Sequence, residues 1–295
     1  MTLVKESRLI SYTSSMHNLN TSTIAALEEM LQNIARTPPA DYLPIHFQGG
    51  MHAQANGEVI GHINPEFSHF LQESLKKEPI ANVRIDSHHL AIAAAPPSDL
   101  SRSWTELAQR MRAGGFIPGW RNEDFSWIDQ NGHAYFHLER AAFRTFGLRS
   151  TATHINGFTA TGTLWLGRRS QNKATDPGLL DNLAAGGISA DETPWVCARR
   201  ELWEEAGVPQ QISEHIQPVG RMHMRRISSE RGFHDEQLYI YDLKLAENFV
   251  PTNHDGEVSS FIEISISEAA ARILADEFTK DAGFVTADFI LRNAR

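Results

Sequence analysis

Apolar residues recur along the chain in two rhythms, and the change from one to the other marks out the elements. Between residues 20 and 36, Ile24, Leu27, Leu31 and Ile34 share one face at helical spacing. Asn20 to Ser22 offer N-caps, and Pro38-Pro39 end the helix. Over residues 42–63 the period shortens to that of strands, with the turn pair Asn56-Gly57 predicting a hairpin. Asn64-Pro65 opens a helix carrying Phe67, Phe70, Leu71 and Leu75. A strand pair follows around Val83 and His89. From about Ser98, Leu100, Trp104, Leu107 and Met111 predict a helix that stops at Gly114-Gly115. Residues 123–138 pattern as a second hairpin around Asn131-Gly132, and a short helix runs to Gly147.

From Thr151 the texture becomes strand-rich: THINGFTA, TLWLGRR, GRMHMRRIS, HDEQLYIYDLKL and NHDGEVSSFIEIS. One acidic helix interrupts them, and two helices close the chain, the first capped by Ser267 and the second running from about Thr279 to Leu291. The expected organisation is an α+β N-terminal domain over residues 1–148 and an α/β/α sandwich with a mixed sheet over 149–295. No internal repeat is evident.

The acidic helix carries the chemistry. Thr193 as N-cap and Pro194 at the first helical position start it; Gly207, a left-handed C-cap, and Pro209 stop it. Glu201, Glu204 and Glu205 stand at i, i+3 and i+4, on one face. Trp195, Ala198, Leu202 and Ala206 form an inward stripe about a quarter-turn away. Three adjacent carboxylates repel unless a cation neutralises them, and a hard divalent ion with oxygen ligands is the natural one. Arg200, between acidic neighbours, can orient a glutamate. Six histidines of the first half (His46, His52, His62, His69, His88, His89) show no regular ligand spacing.

Composition narrows the setting. The 295 residues suffice for two domains, and one cysteine, Cys197, allows no intrachain disulfide and fits a reducing cytoplasm. We expect Cys197 only to pack. No apolar run spans a bilayer, and residues 1–15 lack a signal-peptide core. A net charge of −9 argues against a nucleic-acid-coating protein but leaves small anionic substrates open. A homodimer is compatible with all of this.

Gly186, Glu192, Arg200-Glu201, Leu202, Glu204-Glu205 and Gly207-Val208 are spaced as in the Nudix box, which this segment resembles at every specified position. With each identity used at roughly 5–7% in average proteins, a chance match is very improbable. The resemblance implies a hydrolase that cleaves a diphosphate linked to another moiety with Mg²⁺ or Mn²⁺. It implies Glu201, Glu204 and Glu205 as metal ligands, Glu201 beside the attacking water, Arg200 orienting Glu201, and Gly186, Glu192 and Gly207 shaping the motif. A further acid often comes from a later loop in this family; Glu257 is the first candidate, Asp255 and Glu236 weaker ones. Arg168, Arg169, Lys173 and Arg225 are candidate phosphate contacts, with Arg221 and Arg226 behind them.

The flanking segments WRNEDFSWID, ERAAFRTFG, HINGF, KATDPGLLDNLAAGG, LYIYDLKL and NHDGEV are similar to a long Nudix subgroup with an extra N-terminal domain. That subgroup is similar to the Nudix portion beside thiamine pyrophosphokinase in some fungi, although Leu202-Trp203 and Ala206 depart from its smaller residues. This resemblance implies hydrolysis of thiamine diphosphate, or of its oxidised analogues, to the monophosphate. Trp120, Trp127, Phe158 and Trp165 are candidate ring-binding walls. The alternatives are ADP-ribose or nucleotide-sugar hydrolysis and a non-catalytic diphosphate sensor.

Overall fold

The computed structural model describes residues 19–48, 56–129, 131–228 and 232–294. The expected readings for residues 1–15 and His52 lie outside them. In chain order the elements are α1 (Thr21–Gln32), β1 (Leu43–Gln48), β2 (Asn56–Ile63), α2 (Pro65–Lys77), β3 (Val83–Ile85), β4 (Leu90–Ala93), α3 (Pro97–Ala113), β5 (Asp124–Ile128), β6 (Ala134–Glu139) and α4 (Arg140–Thr145). They continue with β7 (Arg149–Thr159), β8 (Thr163–Arg169), β9 (Leu180–Asp181), β10 (Ala184–Gly187), α5 (Pro194–Ala206), α6 (Gln210–Ser213), β11 (Gln217–Ser228), β12 (Gly232–Leu245), β13 (Val258–Ser265), α7 (Ile266–Leu274) and α8 (Lys280–Asn293).

The first half is α+β. Its four-stranded sheet, ordered β2-β1-β4-β3, pairs β1 with β4 in parallel and its other neighbours antiparallel. The inward faces of α2 and α3 join Ile45, Phe47, Leu90 and Ile92 in one core that runs on through β5 and β6 to Leu148. Trp104 and Trp127 each stack on Phe136, at 4.9 and 5.7 Å between centroids. Asn20 and Asn64 cap α1 and α2, each accepting a backbone N–H at 2.8 Å. α1 does not join this core: Leu27 packs with Phe158, α7 and α8 of the second half.

The second half is a mixed sheet, ordered β11-β12-β7-β8-β13, with β10 on β7 and β9 on β8. β12 and β7 run parallel over eleven residue pairs, and the other pairs are antiparallel. Ala198, Leu202 and Ala206 of α5 pack with Ile155, Leu243 and Leu245 on one face. α7, α8 and α1 cover Leu164, Leu166 and Phe158 on the other. A buried polar chain locks α8 to the sheet, since Asn182 donates to Asn156 and Thr286 at 3.0 Å and Arg292 pairs with Asp242 at 2.8 Å.

Two local expectations change. Asn56 and Gly57 lie inside β2, with Asn56 opposite Gln48, so the connection falls in 49–55. Pairing along the strand outweighs the local turn preference of Asn-Gly. The cap of α7 is Ser265, whose hydroxyl accepts the Glu268 N–H at 3.2 Å, because Ile266 is already helical and buried.

Candidate active site

Local rules place the acidic helix as expected. The Thr193 hydroxyl accepts the Val196 N–H at 3.3 Å, and Gly207 ends α5 at φ +64°. A Cβ at residue 207 would also lie 2.6 Å from the Thr252 carbonyl oxygen, so glycine is required twice over. Gly186 and Gly187 stand in β10, paired with Thr153 and Ala152 of β7, rather than in a free loop. A Cβ at 186 would fall 1.9 Å from the Glu201 carboxylate, and one at 187 would fall 2.2 Å from the Phe125 ring. The first glycine makes room for the helix carboxylate, the second for the β5–β6 hairpin.

Arg200 is the hub of the box. It donates to Glu192 at 2.6 and 2.8 Å, to Glu201 at 2.7 Å and to Glu204 at 2.9 Å. Glu192 therefore anchors Arg200 as well as closing the loop, where it accepts the Ser189 N–H at 3.3 Å. Glu205 accepts the Ala185 N–H at 2.8 Å. Burial pushes the Glu201 carboxyl up to about 7, against the pull of Arg200 and with help from Glu204 and Glu257. Burial, then the Glu201 and Asp181 charges, raise Glu205 well above the ordinary range. Cys197 is buried, its thiol pushed up to about 12 by burial, and it donates to the Gly187 carbonyl at 3.3 Å. It packs and does not face a reactive group.

Ligand atoms of Glu205, Asp255 and Glu257 lie within 4.8 Å of one another. With Glu201 and Glu204 they make an all-oxygen donor set, two of whose members are held protonation-prone by burial and mutual repulsion, which suits a hard divalent cation. None of the first-half histidines within the described residues belongs to either metal-competent group. Glu236 belongs to the other group, with His234 and Asp281, and is tied to His234 and Ser150 at 2.9 Å rather than to the box.

Glu201, Glu204, Asp255 and Glu257 border a cleft of about 400 Å³ whose walls come from both halves of the chain. Arg169 and Lys173 line it; Arg169 pairs with Asp181 at 2.8 Å and Lys173 with Glu257. Arg168 and Arg225 are not among its lining residues. Arg168 donates to the Gly178 carbonyl at 2.8 Å and steadies the 170–178 loop. Arg225 pairs with Asp235 at 3.2 Å, lies over the Phe233 ring and holds the strand segment after α1. Arg221 stacks on Tyr239, and Arg226 points to Asp281.

The four candidate ring walls are likewise elsewhere. Trp127 and Phe158 are core, Trp165 packs toward α5, and Trp120 sits under Arg112. The rings at the cleft are Phe125 and Phe143, both nearly buried. Trp203 is half-exposed and meets the His254 ring at 4.5 Å, off the cleft.

Arg121, Arg140 and Arg144 of the first half also line the cleft, and sequence reasoning missed them. Their signal was faint: three basic residues in the segment just before β7, with nothing local to say that they face the box. The segment is fastened there by backbone and side-chain bonds. Ala190 donates its N–H to the Asp124 carbonyl at 2.9 Å, and the Ser189 hydroxyl donates to Glu123 at 2.9 Å.

Residues 148–286 match the NUDIX domain family. Nudix hydrolases 20 and 24, both chloroplastic proteins of Arabidopsis thaliana, are 32% identical over 247 and 242 residues, 80% of this chain and 66% of each relative. The likeness thus reaches beyond the NUDIX match, while the chain spans just under two thirds of those relatives' length. The uncharacterized Nudix hydrolase YfcD of Escherichia coli (strain K12) is 30% identical over 181 residues, 57% of this chain and 89% of that one. With the box assembled on α5 and β10 and these relatives beside it, the chain belongs to the Nudix hydrolase family.

Proposed function

We propose that this protein hydrolyses the diphosphate linkage of a small organic diphosphate, using Mg²⁺ or Mn²⁺. The observation that carries the reading is the carboxylate set of Glu201, Glu204 and Glu257 lining one cleft, with Glu205 buried beside Glu257 and Arg200 bracing the first two. Those four carboxylates, with Asp255, would hold the metal. When bound, the metal offsets phosphate charge and makes water more acidic. Glu201, braced by Arg200 on the cleft wall, can take the proton of the attacking water. Arg200 keeps it aimed, and Gly186 keeps the approach open. Water adds at phosphorus, the P–O bond to the bridging oxygen breaks, and the leaving phosphate carries off that oxygen.

The substrate we favour is thiamine diphosphate or an oxidised analogue, giving the monophosphate and phosphate. Its support is the similarity of the flanking segments to the fungal thiamine-associated subgroup. No helix among the described residues is long and apolar enough to cross a membrane. The test is phosphate or monophosphate release with Mg²⁺ across thiamine diphosphate, its oxidised analogues, ADP-ribose and nucleotide sugars. Glu204→Gln should lower turnover by orders of magnitude with the thermal midpoint unchanged. Full activity in that variant would remove the metal assignment, and binding of all compounds without turnover would make the protein a sensor.

A further inference from the structure

The cations around the cleft are unequally committed. On the second half's side, Arg169 is paired with Asp181, Lys173 with Glu257, and Arg200 with three glutamates. Opposite them, Arg140 is paired with Glu123 at 2.5 Å and lies over the Phe125 ring. Arg121 differs. Its side chain has no ion pair or hydrogen bond among the described residues, and it is exposed on the cleft wall.

Its backbone, by contrast, is clamped. The buried Glu139 carboxylate accepts the Arg121 N–H at 3.2 Å and the Asn122 N–H at 2.8 Å. Asn122 itself sits at φ +57°, and its side chain accepts the Trp120 indole N–H at 3.0 Å. An arginine with a fixed stem and an uncommitted guanidinium, facing a cleft, is arranged for a ligand anion that brings its own charge. Arg121 and Glu257, the box's loop acid, line the same cleft.

We infer that Arg121 is a specificity-determining residue that holds a terminal phosphate and so selects monosubstituted diphosphates. A diphosphate ending in a free phosphate carries roughly one more negative charge than one esterified at both ends. The box carboxylates and their metal serve both substrate types alike; the extra charge needs an extra cation. On this assignment the first half of the chain supplies part of the active site and not only support for it. The inference rests on the diphosphate-hydrolase reading above.

The experiment measures Kd, kcat and KM with Mg²⁺ in the full chain, for thiamine diphosphate and for ADP-ribose. It compares the unaltered protein with Arg121→Ala and Arg121→Lys. Arg121→Ala should weaken thiamine diphosphate binding about tenfold, the scale of one charge-assisted contact. ADP-ribose binding should change less than about threefold. Arg121→Lys should restore part of the loss, and the difference should shrink at high salt. The thermal midpoint should not move, because the backbone clamp is untouched. Equal weakening of both compounds, no weakening of either, or failure of the unaltered protein to bind either compound would overturn the assignment. Binding without turnover would instead defeat the hydrolase reading, while the ratio of the two affinities still decides Arg121.

Discussion

At the scale of single residues, the site turns on Gly186. The box spacing implies only a glycine that shapes the approach to the helix; the reason it must be glycine is the Glu201 carboxylate, 1.9 Å from where a Cβ would stand. Gly186→Ala should therefore displace Glu201, break its 2.7 Å bond to Arg200, and cut turnover sharply. It should also destabilise the fold by about 1–3 kcal/mol, as overpacking does. Turnover assays and denaturant titration read the two effects separately, and an alanine variant of normal activity would contradict this account. Arg200 makes the complementary point. Its neighbours in sequence suggest one glutamate partner, whereas the folded chain gives it three, because Glu192 comes back across the β10–α5 loop.

At the scale of elements, legibility follows the range of the interactions that define each one. α5 could be read from start to stop because Thr193, Pro194 and Gly207 act within one turn of their own positions. The β1–β2 turn could not, because register is decided across the strand pair and not by Asn56-Gly57 alone. β12 shows a third case. Its alternating pattern predicts a strand, but not that His234 and Glu236 would form a buried pair at 2.9 Å. Burial alone would raise the Glu236 carboxyl; the His234 imidazole outweighs it, and Glu236 ends below the usual range. A carboxyl depressed by folding contributes stability above the unfolded value of about 4.3, lost as pH falls through the folded value. The thermal midpoint should accordingly drop on acidification below about pH 4.3, and Glu236→Gln should flatten that acid limb while lowering stability at neutral pH. An unchanged acid limb in the variant would assign it to other carboxylates.

At the scale of the whole molecule, the two halves are less separable than a boundary at residue 148 suggests. Leu27 of α1 is buried against the C-terminal helices, Phe125 fills the space over Gly187, and Gly232 meets the carbonyl of Arg144 at 2.6 Å from a notional Cβ. Removing residues 1–148 should thus uncover apolar surface on α7 and α8 and strip Arg121, Arg140 and Arg144 from the cleft. The fragment should show a lower thermal midpoint and lose activity along with affinity for Mg²⁺-diphosphate, checked by calorimetry and phosphate release. A fragment as stable and active as the full chain would make the first half dispensable.

The sequence by itself determined the acidic helix, its carboxylate face and most elements of both halves, since periodicity, caps and box spacing are local quantities. Only the tertiary structure decided which cations face those carboxylates. Arg168 and Arg225, within strands of the box's own sheet, point into loop and packing contacts. Arg121, eighty residues upstream of Glu201, stands on the cleft wall. A charged side chain's partner depends on where the chain returns in space, and nothing in its neighbouring residues encodes that return.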